Sequence, residues 1–447
     1  MYHKNFIILF LILLAGKLAA QDSTAKSLGE FLRSGELSGK SRIYYMQSDN
    51  ARPLTDYHGL GIGAGIGYKT PVYKGFSAAM SGYFIINAWS SDFTEPDSVT
   101  QNPNRYELGL FDLTDPSNKS NLYRLEQLWI KYKKKNTQAI LGQYIPDYLF
   151  INPQDGRMSP TMVRGLDFRQ KSVNGDWMLA YIQGISPRST VKWYKVEQTF
   201  GIYPSGRATD GSASDYTEKT ESEGILLAEY NQKGNRNHLG IKLGSMSVLR
   251  VFQTWYADLS YQQKGWKWSL LGIYQQKLNK NLNTGYMDSD HQSFVISSRL
   301  EKKFGAWSTN LNYTRIMDSG RFLMPREWGR EPLYTFLPRE RNEGMADVHA
   351  VSFNVNRKIN SNFRVHLGGG SYWLPDPSDA LRNKYAMPSY RQLNADLDYA
   401  WSGWLEGASM KVLFVRKDAL AHSFENKKFV FNKVDLNLLN VIFNYTF

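Results

Sequence analysis

Two stretches of this 447-residue chain gather the side chains with the most chemistry in them. The segment YIPDYLFINPQDGRMSPTMVRG (144–165) carries Asp155, Arg157 and Arg164 on a backbone stiffened by Pro146, Pro153 and Pro160. The segment SGRFLMPREWGREPLYTFLPRERNEG (319–344) carries five arginines (321, 326, 330, 339, 341) and four glutamates (327, 331, 340, 343). They are interleaved with Phe322, Leu323, Met324, Trp328, Leu333, Tyr334, Phe336 and Leu337, which a free surface loop would not usually hold, so this segment is expected to pack against something. A guanidinium is a planar fork of donors that matches a carboxylate, so the chemistry on offer is noncovalent capture of anions.

Covalent and metal chemistry find less support. Beyond residue 20 there are six histidines, at 58, 238, 291, 349, 366 and 422. His291 with Ser293 and His422 with Ser423 are the close His/Ser pairs, and neither has an Asn or Asp pattern that would complete a triad. There is no HExxH, no acidic calcium loop and no cysteine, so no thiol nucleophile or disulfide frame. No cofactor or metal site is expected, and a hydrolase is the weaker alternative.

The elements that must position these residues are strands. The chain opens MYHKNFIILFLILLAGKLAAQDS, with Lys4, an apolar run from Phe6 to Ala15 and small residues Ala19 and Ala20, the layout of a secretory signal peptide over 1–20. The run is well short of the ~20 apolar residues that a helical span needs. With residues 1–20 go Lys4 and Lys17, which lowers the formal charge of +13 by two, to +11. The chain is 14% aromatic yet its mean hydropathy is −0.46. A transmembrane barrel has both properties at once, because its outer face is apolar with aromatic girdles while its lumen and loops are polar.

Period-2 alternation supports this reading. In LGIGAGIGYK, Leu60, Ile62, Ala64, Ile66 and Tyr68 share one face; Phe294, Ile296 and Leu300, and Leu393, Ala395, Leu397 and Tyr399, repeat the pattern. Strands are predicted near 40–47, 58–69, 73–88, 122–133, 137–144, 164–171, 176–184, 223–231 and 237–247, then 252–262, 266–277, 291–303, 306–317, 347–358, 362–374, 389–401, 409–418 and 434–447. Long connections (89–121, 145–163, 185–222, 318–346) alternate with short turns such as TPV, KKN and SVNG. The fold class is all-β: an antiparallel up-and-down transmembrane barrel of about eighteen strands, with short periplasmic turns and long extracellular loops. A soluble propeller would show a repeat of ~40–50 residues, and none is present. Residues 21–38 read as a short periplasmic arm, with capping-box spacing from Ser27 to Glu30, and 39–447 as the barrel.

Where the apolar set faces lipid, the intervening residues face the lumen, which gives Arg42, Arg124, Glu126, Asp167, Arg169, Arg299, Arg364 and His366. Arg or Lys at the lipid midplane costs about 2–4 kcal/mol, so inward placement is the default. Such arginines either focus field on anions or form salt bridges that shape the barrel. MKVLFVRK is apolar on both parities and leaves Lys411, Arg416 and Lys417 unoriented.

These residues carry a resemblance. INPQDGRMSPTMVRG is similar to the third-loop signature of the OprD family of substrate-specific porins, Asn-Pro-x-Asp-x-Arg, then Pro and shortly afterwards Gly. SLGEFLRSGELSGKSRIYYMQSD looks like that family's mature amino terminus and first strand, and the Pro-Arg-rich seventh loop resembles those of some members. The resemblance implies a monomeric eighteen-stranded barrel, narrowed by inward-folded third and seventh loops and walled by basic residues that guide carboxylate-bearing solutes. It places Asn152, Pro153, Asp155, Arg157 and Pro160 in the constriction loop, to which Arg164 is added from the segment's own charge; Arg326, Arg330 and Arg339 are the seventh-loop pore candidates. The alternatives are a seventh loop that is a salt-bridged cap on the outer rim, and a structural or adhesive barrel.

The expected partners are small anionic or zwitterionic solutes, outer-membrane lipid and lipopolysaccharide, and no nucleic acid. In the closing NLLNVIFNYTF, Leu439, Val441, Phe443, Tyr445 and Phe447 alternate toward lipid, with Leu438 and Ile442 as apolar exceptions on the lumen side. A strand ending in Phe resembles the signal read by the barrel-assembly machinery, and this one is expected to pair with the first strand around Arg42 to Tyr45.

Overall fold

The computed structural model describes residues 28–154, 156–232, 239–279, 285–339, 341–421 and 424–447. The signal-peptide region, Ser27, His238, Asp155, Glu340 and the His422/Ser423 pair lie outside the described residues. A one-and-a-half-turn helix α1 (Leu28–Arg33) leads into β1 (Glu36–Asn50), so the wall begins inside the stretch read as an arm. There follow β2 (Tyr57–Lys69), β3 (Phe76–Ser90), β4 (Leu122–Lys134), β5 (Thr137–Tyr144), β6 (Met162–Lys171), β7 (Gly175–Ser186), the two-residue β8 (Tyr194–Lys195), β9 (Ile225–Gln232) and β10 (Leu239–Val248). The second half comprises β11 (Phe252–Gln263), β12 (Trp266–Lys277), β13 (Gln292–Phe304), β14 (Trp307–Ile316), β15 (Val348–Lys358), β16 (Phe363–Trp373), β17 (Tyr390–Ala400), β18 (Ala408–Ala419) and β19 (Leu436–Thr446).

Each wall strand pairs antiparallel with its sequence neighbours, β7 with β9 past the small β8, and β1 closes on β19 from Lys40 opposite Thr446 to Asn50 opposite Leu436. Arg42 stands opposite Asn444 and Tyr45 opposite Val441, the pairing expected from the closing segment. The result is a closed eighteen-strand barrel with β8 as an extra. All eighteen predicted strands are present; β8 has too few residues for any periodicity to reveal it.

Alternation puts apolar side chains on the outside. Ile66, Met80, Phe84, Leu141, Leu311, Phe353, Leu367 and Leu393 are all exposed on the outer wall, a surface compatible with lipid and not with water. Strand β18 is now oriented: Met410 and Phe414 are exposed while Leu413, Val415 and Lys417 are buried, so Lys411 and Lys417 point inward. Arg416 takes the outer parity and bonds Asp418 at 2.7 Å and Asn437 at 3.3 Å.

Nine connections, most of them long, join the strands at one end, called L1 (51–56), L2 (91–121), L3 (145–161), L4 (187–224), L5 (249–251), L6 (278–291), L7 (317–347), L8 (374–389) and L9 (420–435). The adjoining strand ends are apolar on both faces because the loops fill the lumen there. Tyr44, Met46, Ile182, Val248, Phe252, Val295, Val348, Val415 and Leu438 are inward-facing and essentially inaccessible, which accounts for the apolar exceptions Leu438 and Ile442.

The glycine that ends the third-loop signature has a wall function. Gly165 stands opposite Gly142, which is at φ +128°, and a β-bulge falls between Arg164 and Gly165 where β6 meets β7. A methyl on Gly165 would lie 2.0 Å from the carbonyl oxygen of Tyr181. Gly165→Ala is therefore expected to destabilise the barrel by about 1–3 kcal/mol, read as a lower midpoint in the loss of the heat-modifiable folded form on gels.

Candidate functional site

L3 enters the lumen and is bound there on two sides. Its wall anchors are arginines. Arg124 on β4, buried, donates to Ser159 Oγ (2.9 Å) and the Pro160 carbonyl (2.7 Å) of L3, and to Ser186 Oγ (2.9 Å) where L4 begins. Arg42 on β1 donates to the Arg157 carbonyl at 2.6 Å, and Arg169 on β6 stacks 5.8 Å over Tyr148 while bonding Asp167.

The other side is L7. The Asn152 amide accepts from Arg330 N–H (3.0 Å) and donates to the Arg330 carbonyl (2.9 Å), and Asn152 N–H donates to the Trp328 carbonyl (3.0 Å). Gly329, at φ +145°, leaves the space: a Cβ there would lie 2.6 Å from the Asn152 side-chain oxygen. Trp328 is fully buried, donates to Thr199 of L4 at 2.8 Å and packs edge-to-face on Phe200. Arg299 on β13 donates to the Tyr334 carbonyl at 3.1 Å and stacks on its ring at 4.8 Å. L3, L4 and L7 thus form one interlocked plug inside the wall; L7 is not an outer-rim cap.

Between this plug and L2, L8 and L9 lies a cavity of about 640 Å³. Into it come Arg105 from L2, Arg157 from L3, Arg188 and Arg207 from L4, Arg326, Arg339 and Arg341 from L7, Lys384 from L8, and Lys428 and Lys433 from L9. Among the described lining residues there is no Asp or Glu. Tyr106, Phe336, Tyr385, Phe429 and Phe431 supply aromatic surface.

Among these cations burial lowers the pKa of Arg157, Arg188 and Lys384, and nearby arginines add to it. Arg157 is pushed down to about 10 by burial and then by Arg339. Arg188 is pushed down to about 9 by burial, with Arg157, Arg341 and Arg339 adding to the effect. Lys384, held among the rings of Tyr216, Tyr286 and Tyr385 at 4.7–5.4 Å, falls to about 8 through burial. All three remain mainly cationic at neutral pH.

The predicted site residues divide into three groups. Arg157, Arg326 and Arg339 reach the cavity; Arg326 is bonded to Glu343 at 2.7 Å and stacked 3.6 Å over Tyr385. Asn152 acts through its side chain and main chain on L7, whereas Pro153 and Pro160 act through their carbonyls, Pro153 accepting from Thr161 N–H at 3.1 Å and Pro160 from Arg124 at 2.7 Å. Arg164 is not in the loop: it lies within β6 on the parity of Leu166 and Phe168, 5.8 Å from the Trp193 ring, because the strand starts at Met162. Arg330 is exposed, its guanidinium 5.7 Å from Phe336, and contributes its main chain to the Asn152 clamp. Arg42, Arg124, Arg169 and Arg299 clamp loops, whereas Arg364 is exposed in β16 near the short-turn end. Arg105, Arg188, Arg207, Lys384, Lys428 and Lys433 are not marked by the sequence reading. They sit in long connections without periodicity, and no local pattern marks them.

The His291/Ser293 pair makes no hydrogen bond to each other; both side chains are buried, and burial pushes His291 down to about 4.

No family model and no curated protein matches the sequence. Solved structures do match. Pseudomonas aeruginosa OccK9 (OpdG) aligns at TM-score 0.72 and 16% identity, over 93% of this chain and 99% of that one. Pseudomonas aeruginosa OpdK with vanillate aligns at 0.69 and 13%, over 93% and 99%. Acinetobacter baumannii OccAB2 aligns at 0.69 and 14%, over 93% and 98%. At these identities the shared property is the fold.

Two predictions follow from the plug. Replacing Asn152 by Ala removes both side-chain bonds to Arg330, and the expected result is a larger, noisier single-channel conductance in planar bilayers with the barrel still folded. The second concerns Glu331, whose carboxyl accepts from Asn342 and Glu343 N–H at 2.7–2.9 Å. Burial pushes its pKa up from 4.5 to about 7. The folded loop therefore holds a proton that the unfolded chain releases. That stabilisation is complete below 4.5 and is lost as pH rises through 7. Amide exchange over 331–343, corrected for its intrinsic pH dependence, is expected to be slower at about pH 5 than at about pH 8, with the difference reduced in Glu331→Gln.

Proposed function

We propose that the protein is a passive, substrate-selective porin in the outer membrane of a Gram-negative bacterium, admitting small carboxylate-bearing solutes such as amino acids, peptides and organic acids. The observation that carries this reading is the loop-walled cavity with ten cationic side chains and no acidic one among its described lining residues. A low-dielectric passage of one sign focuses field and concentrates counter-ions, here anions. The guanidinium forks orient a carboxylate and the aromatic lining accommodates an apolar or ring-bearing body. The fold shared with OpdK, solved with vanillate, an aromatic acid, is in keeping with this.

Passage is diffusive. A solute passes the L7 arginines and Arg157, then the inward cations Lys40 and Lys411 lower in the wall, where Glu126 and Asp396 accompany them at 2.6 and 2.8 Å. Around the barrel we assign lipid and lipopolysaccharide as the contacts of the outer wall. We further assign recognition by the assembly machinery to the closing strand ending at Phe447, and a monomer as the working unit.

Reversal potentials in planar bilayers under a potassium chloride gradient test the reading. Chloride is expected to be favoured over potassium, and Arg157→Ala to lower that ratio by a factor of about 2–5. Cation selectivity would refute the anion pathway, and absence of any conductance would point to a structural barrel. A liposome-swelling panel of acids, amino acids and sugars then identifies the preferred solute.

A further inference from the structure

Ion pairing separates the cavity's cations into two kinds. Arg326 has Glu343. Arg157, Arg188 and Arg339 have no carboxylate within ion-pair distance among the described residues, and they converge on one point. The Gly156 carbonyl accepts from Arg157 at 2.8 Å and from Arg339 at 3.5 Å, and Nη1 of Arg188 and of Arg339 each lie 3.7 Å from where a Cβ on Gly156 would stand. Arg157 and Arg188 are 6% and 8% exposed, and the Nε–H groups of all three arginines are buried without an acceptor. Glu107, which acts on Arg157 electrostatically without contact, is buried at 0% exposure and its pKa is raised to about 7 by that burial, so it is a poor counter-charge.

The backbone here is also strained. Arg339 is at φ +84° and Gln154 at φ +40°, conformations that persist only when surroundings impose them. Arg339 is fixed by Tyr44 Oη at 2.5 Å and Asn440 at 2.6 Å, so its fork is held toward the other two.

Two buried guanidiniums and the half-buried one of Arg339, each with a spare Nε–H donor, are more than a single negative charge can neutralise. We propose that Arg157, Arg188 and Arg339 around Gly156 form a binding site for a doubly charged oxyanion, a dicarboxylate or a phosphate dianion, which the pore retains in preference to monocarboxylates. The proposal rests on the anion-pathway reading and narrows it by valence. A dianion is harder to dehydrate than a monoanion because the cost rises with the square of its charge. It is selected only where fixed donors and several opposite charges replace its water, as they do here.

The test uses the purified full-length protein in planar bilayers. Chloride current is titrated with acetate, succinate and inorganic phosphate at neutral pH. Half-block by succinate or phosphate is expected at about tenfold lower concentration than by acetate. Potency confined to succinate assigns the site to dicarboxylates, and potency confined to phosphate assigns it to phosphate. Arg188→Gln is expected to remove most of the preference. Arg188→Lys, which keeps the charge but not the fork, is expected to remove part of it and stands in should the first variant not fold. Equal half-block by acetate and both dianions in the unmodified protein would overturn the proposal while leaving an anion-selective pore intact. A cation-selective reversal potential would overturn both.

Discussion

A peptide chain carried into the middle of a barrel leaves its own hydrogen bonding unsatisfied unless the barrel supplies partners, and most of what is distinctive here answers that constraint. The Asn152 side chain is the central answer. It pairs with both main-chain groups of Arg330 as a strand neighbour would, and with Asn152 N–H on the Trp328 carbonyl it makes a short mimic of a sheet ladder between two loops that have no strand in common. The arginines of the wall complete the arrangement. Their five donors each can hold several oxygens at once, as Arg124 does with the hydroxyls of Ser159 and Ser186 and the carbonyls of Pro160 and Pro187, which a lysine could not match.

Two uses of the same side chain are distinguished by their neighbours. Arg124 has Glu126, Arg169 has Asp167 and Arg326 has Glu343; these guanidiniums are neutralised and serve as fixings. Arg157 and Arg188 are about as deeply buried as Arg124, and Arg339 stands beside them; they repel one another and have no carboxylate within ion-pair distance among the described residues. Keeping unneutralised charge in the interior is unfavourable, and the strain at Arg339 adds to the cost. The stability to hold such a group comes from elsewhere: from a sheet with no open edge and from the aromatic packing of Phe200, Trp328, Phe252 and Tyr286 under the loops. The low-energy wall and the high-energy eyelet are parts of one design, because a rigid frame is what lets a repulsive cluster persist.

The wall is legible in the sequence because alternation is a property of the backbone itself. Successive side chains of a strand point to opposite faces, so lipid on one side and a polar lumen on the other write a period of two into each segment. The loops were partly legible: the apolar content of L7 marked it as packed, and the family resemblance implied inward-folded third and seventh loops with Asn152 in the constriction loop. Legibility failed where both faces of a strand carry apolar side chains, as at Lys411 to Lys417, since the alternation of residue type vanishes when the inward face is packed as well.

The sequence alone therefore determined the barrel, its strands, its closure between Arg42 to Tyr45 and the last strand, and which residues could face inward. Only the tertiary structure decided what those residues do. It made Arg42, Arg124, Arg169 and Arg299 into clamps, moved Arg164 out of the loop and into β6, and brought Arg188 beside Arg157 and Arg339. The physical reason is range. A strand's pattern is written by neighbours two residues apart, whereas a cation's role depends on the acid or carbonyl that folding sets against it. For the clamp between Asn152 and Arg330 that partner is 178 residues away.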